Sequence, residues 1–208
     1  MTLAPRFLAS HVIRRGPAHQ SANTIDLYLD YCCPFSTKLF VKWYDEVLPL
    51  IEKRLPKDAF DVQIVNVVQP WHPTSIYMAE TGLAVAQLAP DKFVEFSLAL
   101  FKNQARWFDE PAYNKTRPEL YVELAAFAHD QVGVSVDAML EKLAVDTSSG
   151  EAKNGGNAVA RDLKYFTRLH RQNGVHVTPT VAVNGVIVGS IESSTSAHDV
   201  VSILGGQI

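Results

Sequence analysis

The chain has 208 residues, 47% of them hydrophobic, and a formal net charge of −3. That length suits one well-buried core, and without a basic excess nothing points to nucleic acid or an anionic membrane surface as a partner. Two cysteines are too few for a secreted disulfide scaffold or for the paired spacing of a zinc site, and no apolar run reaches the length of a membrane span.

The opening stretch, MTLAPRFLASHVIRRGPAHQ, lacks the continuous apolar segment of a secretory signal. Its arginines and its lack of acidic residues leave an organelle-targeting reading open; the default expectation is a soluble, cytoplasmic protein. Residues 23–31 (NTIDLYLDY) set Ile25, Leu27 and Leu29 against Asp26, Tyr28 and Asp30, the two-residue period of a strand. Residues 34–55 (PFSTKLFVKWYDEVLPLIEKRL) carry Phe40, Trp43, Tyr44, Val47, Leu48 and Ile51 at helical spacing. Pro34 suits the first turn of that helix, and Pro49 predicts a kink or a shortening. Residues 60–68 (FDVQIVNVV) read as a second, nearly continuous apolar strand, so strand, helix and strand form a parallel βαβ unit.

From about Pro73 to about Val145 the pattern predicts helices over 74–89, 90–108, 117–133 and 135–145 with no strand between them. This is a helical insertion in an α/β frame, within one domain spanning 1–208. A polar break over 146–158 leads to a helix over 159–174, with Val159, Leu163, Phe166 and His170 on one stripe and Gly174 suited to its end. Residues 177–189 (VTPTVAVNGVIVG) predict a hairpin about Asn184-Gly185, and 195–204 a capped closing helix.

Both cysteines lie in DYCCPFS, between the first strand and the first helix. Cys33 therefore falls at a helix N-terminus, where unpaired backbone N–H groups and the helix dipole favour a thiolate nucleophile. The competing reading is two small buried hydrophobic side chains. Pro179 stands before a strand, as an ordinary trans proline at a strand start or as a cis bond that frees the Thr178 backbone for an extended substrate. His72 and His176 are candidate neighbours of the sulfur. No set of histidines and cysteines has a familiar metal spacing, and the aromatic stretch Phe93, Phe96, Phe101, Trp107 and Phe108 fits core packing better than a ligand groove.

TIDLYLDYCCPFS resembles the active-site stretch of the DsbA-like branch of the thioredoxin superfamily, roughly T-I-x-x-x-x-D-x-x-C-P-[FWYH]-C. GVHVTPTVAVNG resembles that branch's G-V-x-x-T-P-T-x-x-[IV]-N-G segment, and WHPTSIYMAETGLA resembles its stretch after the second strand. The resemblance covers about Thr24 to Leu204. It implies a thioredoxin fold with an inserted helical subdomain, Cys33 as the attacking cysteine, and Pro34 and Phe35 as the variable pair. It further implies Thr178 and Pro179 as a cis-proline loop facing the sulfur. Ser36 stands where the resolving cysteine belongs, and Cys32 has no counterpart.

A serine cannot resolve a mixed disulfide, so the resemblance implies a monothiol enzyme. Cys33 would attack a disulfide, and a second thiol such as glutathione or a substrate cysteine would release the product. No bound cofactor or metal is expected; the expected partner is a thiol- or disulfide-containing protein or small molecule. Ser36 would donate a hydrogen bond to the thiolate, and a strained Cys32–Cys33 disulfide is a remote substitute for the missing resolver. Two other readings stay open. Kappa-type glutathione transferases share the architecture and carry an S-P-[YF]-S motif close to CPFS. A non-catalytic module could use the cis-proline loop to hold a peptide.

Overall fold

The computed structural model describes residues 2–14, 23–56, 59–148 and 150–207. Part of the N-terminal stretch read for a targeting signal, residues 15–20, lies outside them. In chain order the elements are α1 (Leu8–His11), β1 (Val12–Arg14), β2 (Asn23–Leu29), α2 (Pro34–Lys42), α3 (Leu48–Arg54) and β3 (Phe60–Asn66). There follow α4 (Ser75–Leu88), α5 (Phe93–Asn103), α6 (Asp109–Ala112), α7 (Arg117–Val132) and α8 (Val136–Leu143). The chain returns through α9 (Ala160–Gln172), β4 (Thr180–Val183), β5 (Val186–Ile187) and α10 (Ala197–Gly205).

The strands form one sheet in the order β1-β3-β2-β4-β5. β2 and β3 run parallel, in register from Asn23↔Phe60 to Leu29↔Asn66, and the other pairs are antiparallel. Helices pack on the central strands, α2 on β2 and α9 on β3. This covers both faces, so the polar half of the β2 alternation is as buried as the apolar half: Asp26 and Tyr28 lie inside with Ile25, Leu27 and Leu29. Burial pushes the Asp26 carboxyl up to about 6. The Tyr28 hydroxyl accepts a bond from Asn173 Nδ2 at 2.8 Å.

The β4–β5 hairpin turns at Asn184 (φ 52°) and Gly185 (φ 79°), the two positive φ values that a two-residue turn of this twist requires. The helix expected over 34–55 is present but changes register at a π turn over Trp43–Val47, and Pro49 sits just inside the α-helix that restarts there. A π turn takes up the ring and missing N–H that would otherwise disrupt an unbroken helix. The helix expected over 90–108 is likewise divided: α5 is flanked by 3₁₀ turns at Pro90–Lys92 and Gln104–Trp107. Phe93, Phe96, Phe101 and Trp107 are core residues, and the stripe on α9 buries Val159, Phe166 and His170.

The sequence pattern did not predict α1 or β1. Their anchor is His11, stacked on Phe93 and Phe166 and held between Ser10 Oγ (2.8 Å) and Asn66 Oδ1 (2.9 Å). Burial lowers His11 to about 3, which keeps it neutral. Among the described residues no helix is long and apolar enough to cross a membrane.

Candidate active site

Cys33 is the N-cap of α2. Its carbonyl accepts bonds from the N–H groups of Ser36 (3.0 Å) and Thr37 (3.2 Å), and Pro34 occupies the first turn without forfeiting a bond. The Cys33 side chain is 5% exposed, and its thiol donates to the Thr178 carbonyl at 3.4 Å. That carbonyl belongs to the Thr178-Pro179 peptide bond, which is cis. The end of β2, the start of α2 and the segment entering β4 thus meet at one sulfur.

Cys32 points elsewhere. Its sulfur lies 3.4 Å from Thr74 Oγ1, whose own proton goes to the Trp107 carbonyl, so the Cys32 thiol is the donor. Burial pushes this thiol up to about 11. Both cysteines are free, and their sulfurs face opposite walls of the site. A Cys32–Cys33 disulfide would have to break both contacts.

Ser36 is fully buried, and its hydroxyl accepts the Asp30 backbone N–H at 3.2 Å. The expected bond from Ser36 to the Cys33 sulfur is not among the hydrogen bonds of the described residues. Phe35 is 61% exposed and lines a shallow groove of about 360 Å³ with Val177, Thr178, Pro179 and Ile187. A second groove, about 520 Å³, lies on the other side of the Cys32–Pro34 loop and is bordered by Cys32, Pro34, His72, Phe108, Asp109 and Glu110. His72 therefore belongs to the site. His176 contributes only its carbonyl, which accepts from Gln69 Nε2 at 3.2 Å, and its side chain is exposed.

The residue that organises this region is Asp30. Its side chain is fully buried. Oδ1 accepts from the Cys32 N–H (2.8 Å) and the Ser75 hydroxyl (2.5 Å), and Oδ2 from the Gln69 N–H (3.1 Å) and His72 Nδ1 (2.9 Å). Its carbonyl accepts from the Cys33 N–H at 3.0 Å. Gln104, from the insertion, donates to the carbonyls of Tyr31 (2.6 Å) and Cys33 (3.3 Å). Neither residue was singled out from the sequence. Asp30 had a signal, being the aspartate of the D-x-x-C-P pattern, whereas Gln104 had none. Among the described residues, no group of three or more His, Cys, Asp or Glu side chains is placed to hold a metal ion.

A parallel βαβ unit, an antiparallel hairpin opened by a cis-proline and a cysteine capping the first helix together define a thioredoxin-fold protein with a thiol site. The family profile described as thioredoxin matches residues 17–201, and the chain belongs to that family. No curated protein matches it. Among solved structures it resembles a provisionally designated protein-disulfide isomerase of Pseudomonas syringae, with a TM-score of 0.71 and 22% identity over 96% of this chain and 99% of that one. It also resembles BdbD of Bacillus subtilis (TM-score 0.65, 19% identity, 96% and 92% of the two chains). A third is the thiol-disulfide oxidoreductase MdbA of Actinomyces oris (TM-score 0.61, 18% identity, 89% and 81%). At these identities the likeness is one of fold.

Proposed function

We propose that the chain is a thiol–disulfide oxidoreductase of the reductase or isomerase type that works with Cys33 alone. The observation that carries this reading is the pairing of two facts at one point. Cys33 caps a helix with its sulfur 3.4 Å from the carbonyl before the cis-proline, and the position one turn on is a buried serine. The exposed Phe35 and the groove along Thr178 and Pro179 suit an extended, partly apolar disulfide-bearing substrate.

In the first step the Cys33 thiolate attacks R–S–S–R′, forming Cys33–S–S–R and releasing R′S⁻. Because Ser36 has no sulfur, the mixed disulfide persists until a second thiol attacks it and returns Cys33 to the thiolate. Glutathione or a substrate cysteine would serve as that thiol. Such chemistry reduces or reshuffles disulfides without storing one in the enzyme, which fits a thiol-rich compartment such as the cytosol.

The test is disulfide-exchange turnover in wild type, Cys33→Ala and Cys32→Ala, with mass detection of the trapped intermediate. Loss of turnover and of the adduct in Cys33→Ala alone is expected. Full activity in Cys33→Ala would refute the mechanism.

A further inference from the structure

A cleft of about 530 Å³ lies at the start of α9, and the thiol chemistry makes no use of it. It is bordered by Arg6, by the loop before α9, and by Arg161, Lys164, Tyr165 and Arg168 on the helix itself. Four cations therefore face one recess in a chain whose net charge is −3, and no carboxylate is among the described lining residues. We infer that this cleft binds a small molecule bearing a diphosphate group, held by Arg161, Lys164 and Arg168. It does so whether or not Cys33 works alone.

The spacing brings the three helix cations together. At about 100° per residue, Arg161, Lys164 and Arg168 fall within about 60° of one another around α9. Asp162 stands about 100° or more from all three, and its carboxylate is engaged elsewhere. Oδ1 accepts from Arg6 Nη2 (3.4 Å) and Oδ2 from Gln87 Nε2 (2.8 Å). Arg161, Lys164 and Arg168 are exposed, and none of them forms an ion pair with a described residue.

This arrangement works against the helix. Arg161 with Lys164 and Lys164 with Arg168 are like-charge pairs at i,i+3 and i,i+4, and each pair is destabilising. Arg161 also occupies the first turn of α9, where the helix dipole disfavours a cation. A bound polyanion reverses the sign of both effects. Two linked phosphates carry about three negative charges at neutral pH, which matches the three cations that have no partner. Guanidinium groups also fit phosphate oxygens in paired hydrogen bonds.

The walls are held by the protein's own contacts. The Arg6 guanidinium lies over the rings of Phe7 (4.5 Å) and Tyr165 (4.9 Å). The Tyr165 hydroxyl accepts from the Ala4 N–H at 2.6 Å. In the loop, the Ala158 N–H donates to the Lys142 carbonyl (3.1 Å), and Asn157 Oδ1 accepts from the Val159 N–H (3.2 Å). Gly156 has φ 76°, and a Cβ there would stand 2.7 Å from that of Ala160, so the loop lies directly on the start of α9. A fixed recess of this volume suits a small molecule.

Isothermal titration calorimetry near pH 7.5 and at low salt tests the site, with sodium pyrophosphate, ADP and citrate as probes. Pyrophosphate should bind at one site. Lys164→Ala should weaken it several-fold and Arg161→Ala with Arg168→Ala at least about tenfold. Lys53→Ala, which removes an exposed charge from α3, should leave it unchanged. ADP binding more tightly than pyrophosphate would support the site and identify a nucleotide as the carrier; pyrophosphate binding more tightly would support it with the free diphosphate as ligand. Ligand-free Lys164→Ala should melt at or above the wild-type midpoint, because two repulsive pairs are removed. Absence of pyrophosphate binding, equal binding in wild type and the double variant, or citrate bound as tightly as pyrophosphate overturns the assignment. So does a lowered midpoint in ligand-free Lys164→Ala, which would mean that the lysine serves the fold.

Discussion

Replacing Asp30 with asparagine changes one oxygen to NH₂ and leaves the volume almost the same. The structure fixes the cost. Each carboxylate oxygen receives two donors: the Cys32 N–H and Ser75 hydroxyl on one, the Gln69 N–H and His72 Nδ1 on the other. Whichever way the amide is turned, its NH₂ faces one main-chain N–H that it cannot accept, while the Ser75 hydroxyl or the His72 ring on the same side can turn or change tautomer to accept from it. One bond to a buried charge is lost, worth about 1.5–3 kcal/mol. The expected destabilisation of Asp30→Asn is about 1.5–3 kcal/mol, a sizeable share of the 5–15 kcal/mol typical of a folded domain. Urea unfolding followed by circular dichroism measures it as a fall in midpoint with the slope unchanged. Ser75→Ala, which removes one of the four donors and leaves the carboxylate its other three, should cost no more than this. A loss in Asp30→Asn below about 1 kcal/mol would mean that Asp30 does not hold the site together as a buried carboxylate.

Four further outcomes follow from the structure. Cys32, pushed up to about 11, should react with iodoacetamide at pH 8 at least about tenfold more slowly than a free cysteine when measured in Cys33→Ala. Its thiolate fraction falls more steeply than its intrinsic nucleophilicity rises, and the rate should still be climbing at pH 10. Asp26 binds its proton more tightly folded (about 6) than unfolded (3.8), so it costs stability as pH rises through that window, by about 3 kcal/mol in full. Asp26→Asn should therefore be more stable than wild type at pH 7.5 and equal to it at pH 3.5, in parallel denaturant titrations. His11 works in the opposite direction, its folded value of about 3 lying below 6.5. The Asp26→Asn protein should consequently lose about 5 kcal/mol as pH falls from 6.5 toward 3, and a flat profile there would exclude a buried neutral His11. Gly82→Ala would place a Cβ 3.0 Å from the Tyr31 ring and hydroxyl. It should disturb the Tyr31–Ser97 bond at 2.7 Å and lower the thermal midpoint by several degrees, corresponding to about 1–3 kcal/mol.

Strong local signals made much of the fold legible. The alternation in β2, the continuous apolar run of β3 and the Asn184-Gly185 pair each belong to elements long or distinctive enough to carry a pattern. β1 was not legible, because three residues show no period, and it exists through pairing with β3 and the burial of His11 beside it. The break in the long helix was half legible: Pro49 announced a disturbance, but whether it becomes a kink, a stop or a π turn depends on what packs around it. At the site, the motifs led to the expectation that Cys33 faces the Thr178-Pro179 segment, and the two do meet, while the contacts of Asp30 and Gln104 had no such lead. Apart from those of Asp30 to its near neighbours Cys32, Cys33 and Ser36, the bonds they make join positions 39 to 73 residues apart, and local sequence says nothing about where such partners come from.

The two bonds from Gln104 have an engineering consequence. Thioredoxin-like scaffolds invite miniaturisation by trimming whatever interrupts the βαβ and hairpin halves, and helices α4 to α8 look like the part to remove. In this chain the carbonyls of Tyr31 and Cys33, and the sulfur of Cys32 through Thr74, draw their partners from that segment or its threshold. A shortened version would keep every strand and the cis-proline yet expose the main chain of the Cys33 loop to water. Any pared-down scaffold would need a substitute donor at the Gln104 position before the loop could hold its shape.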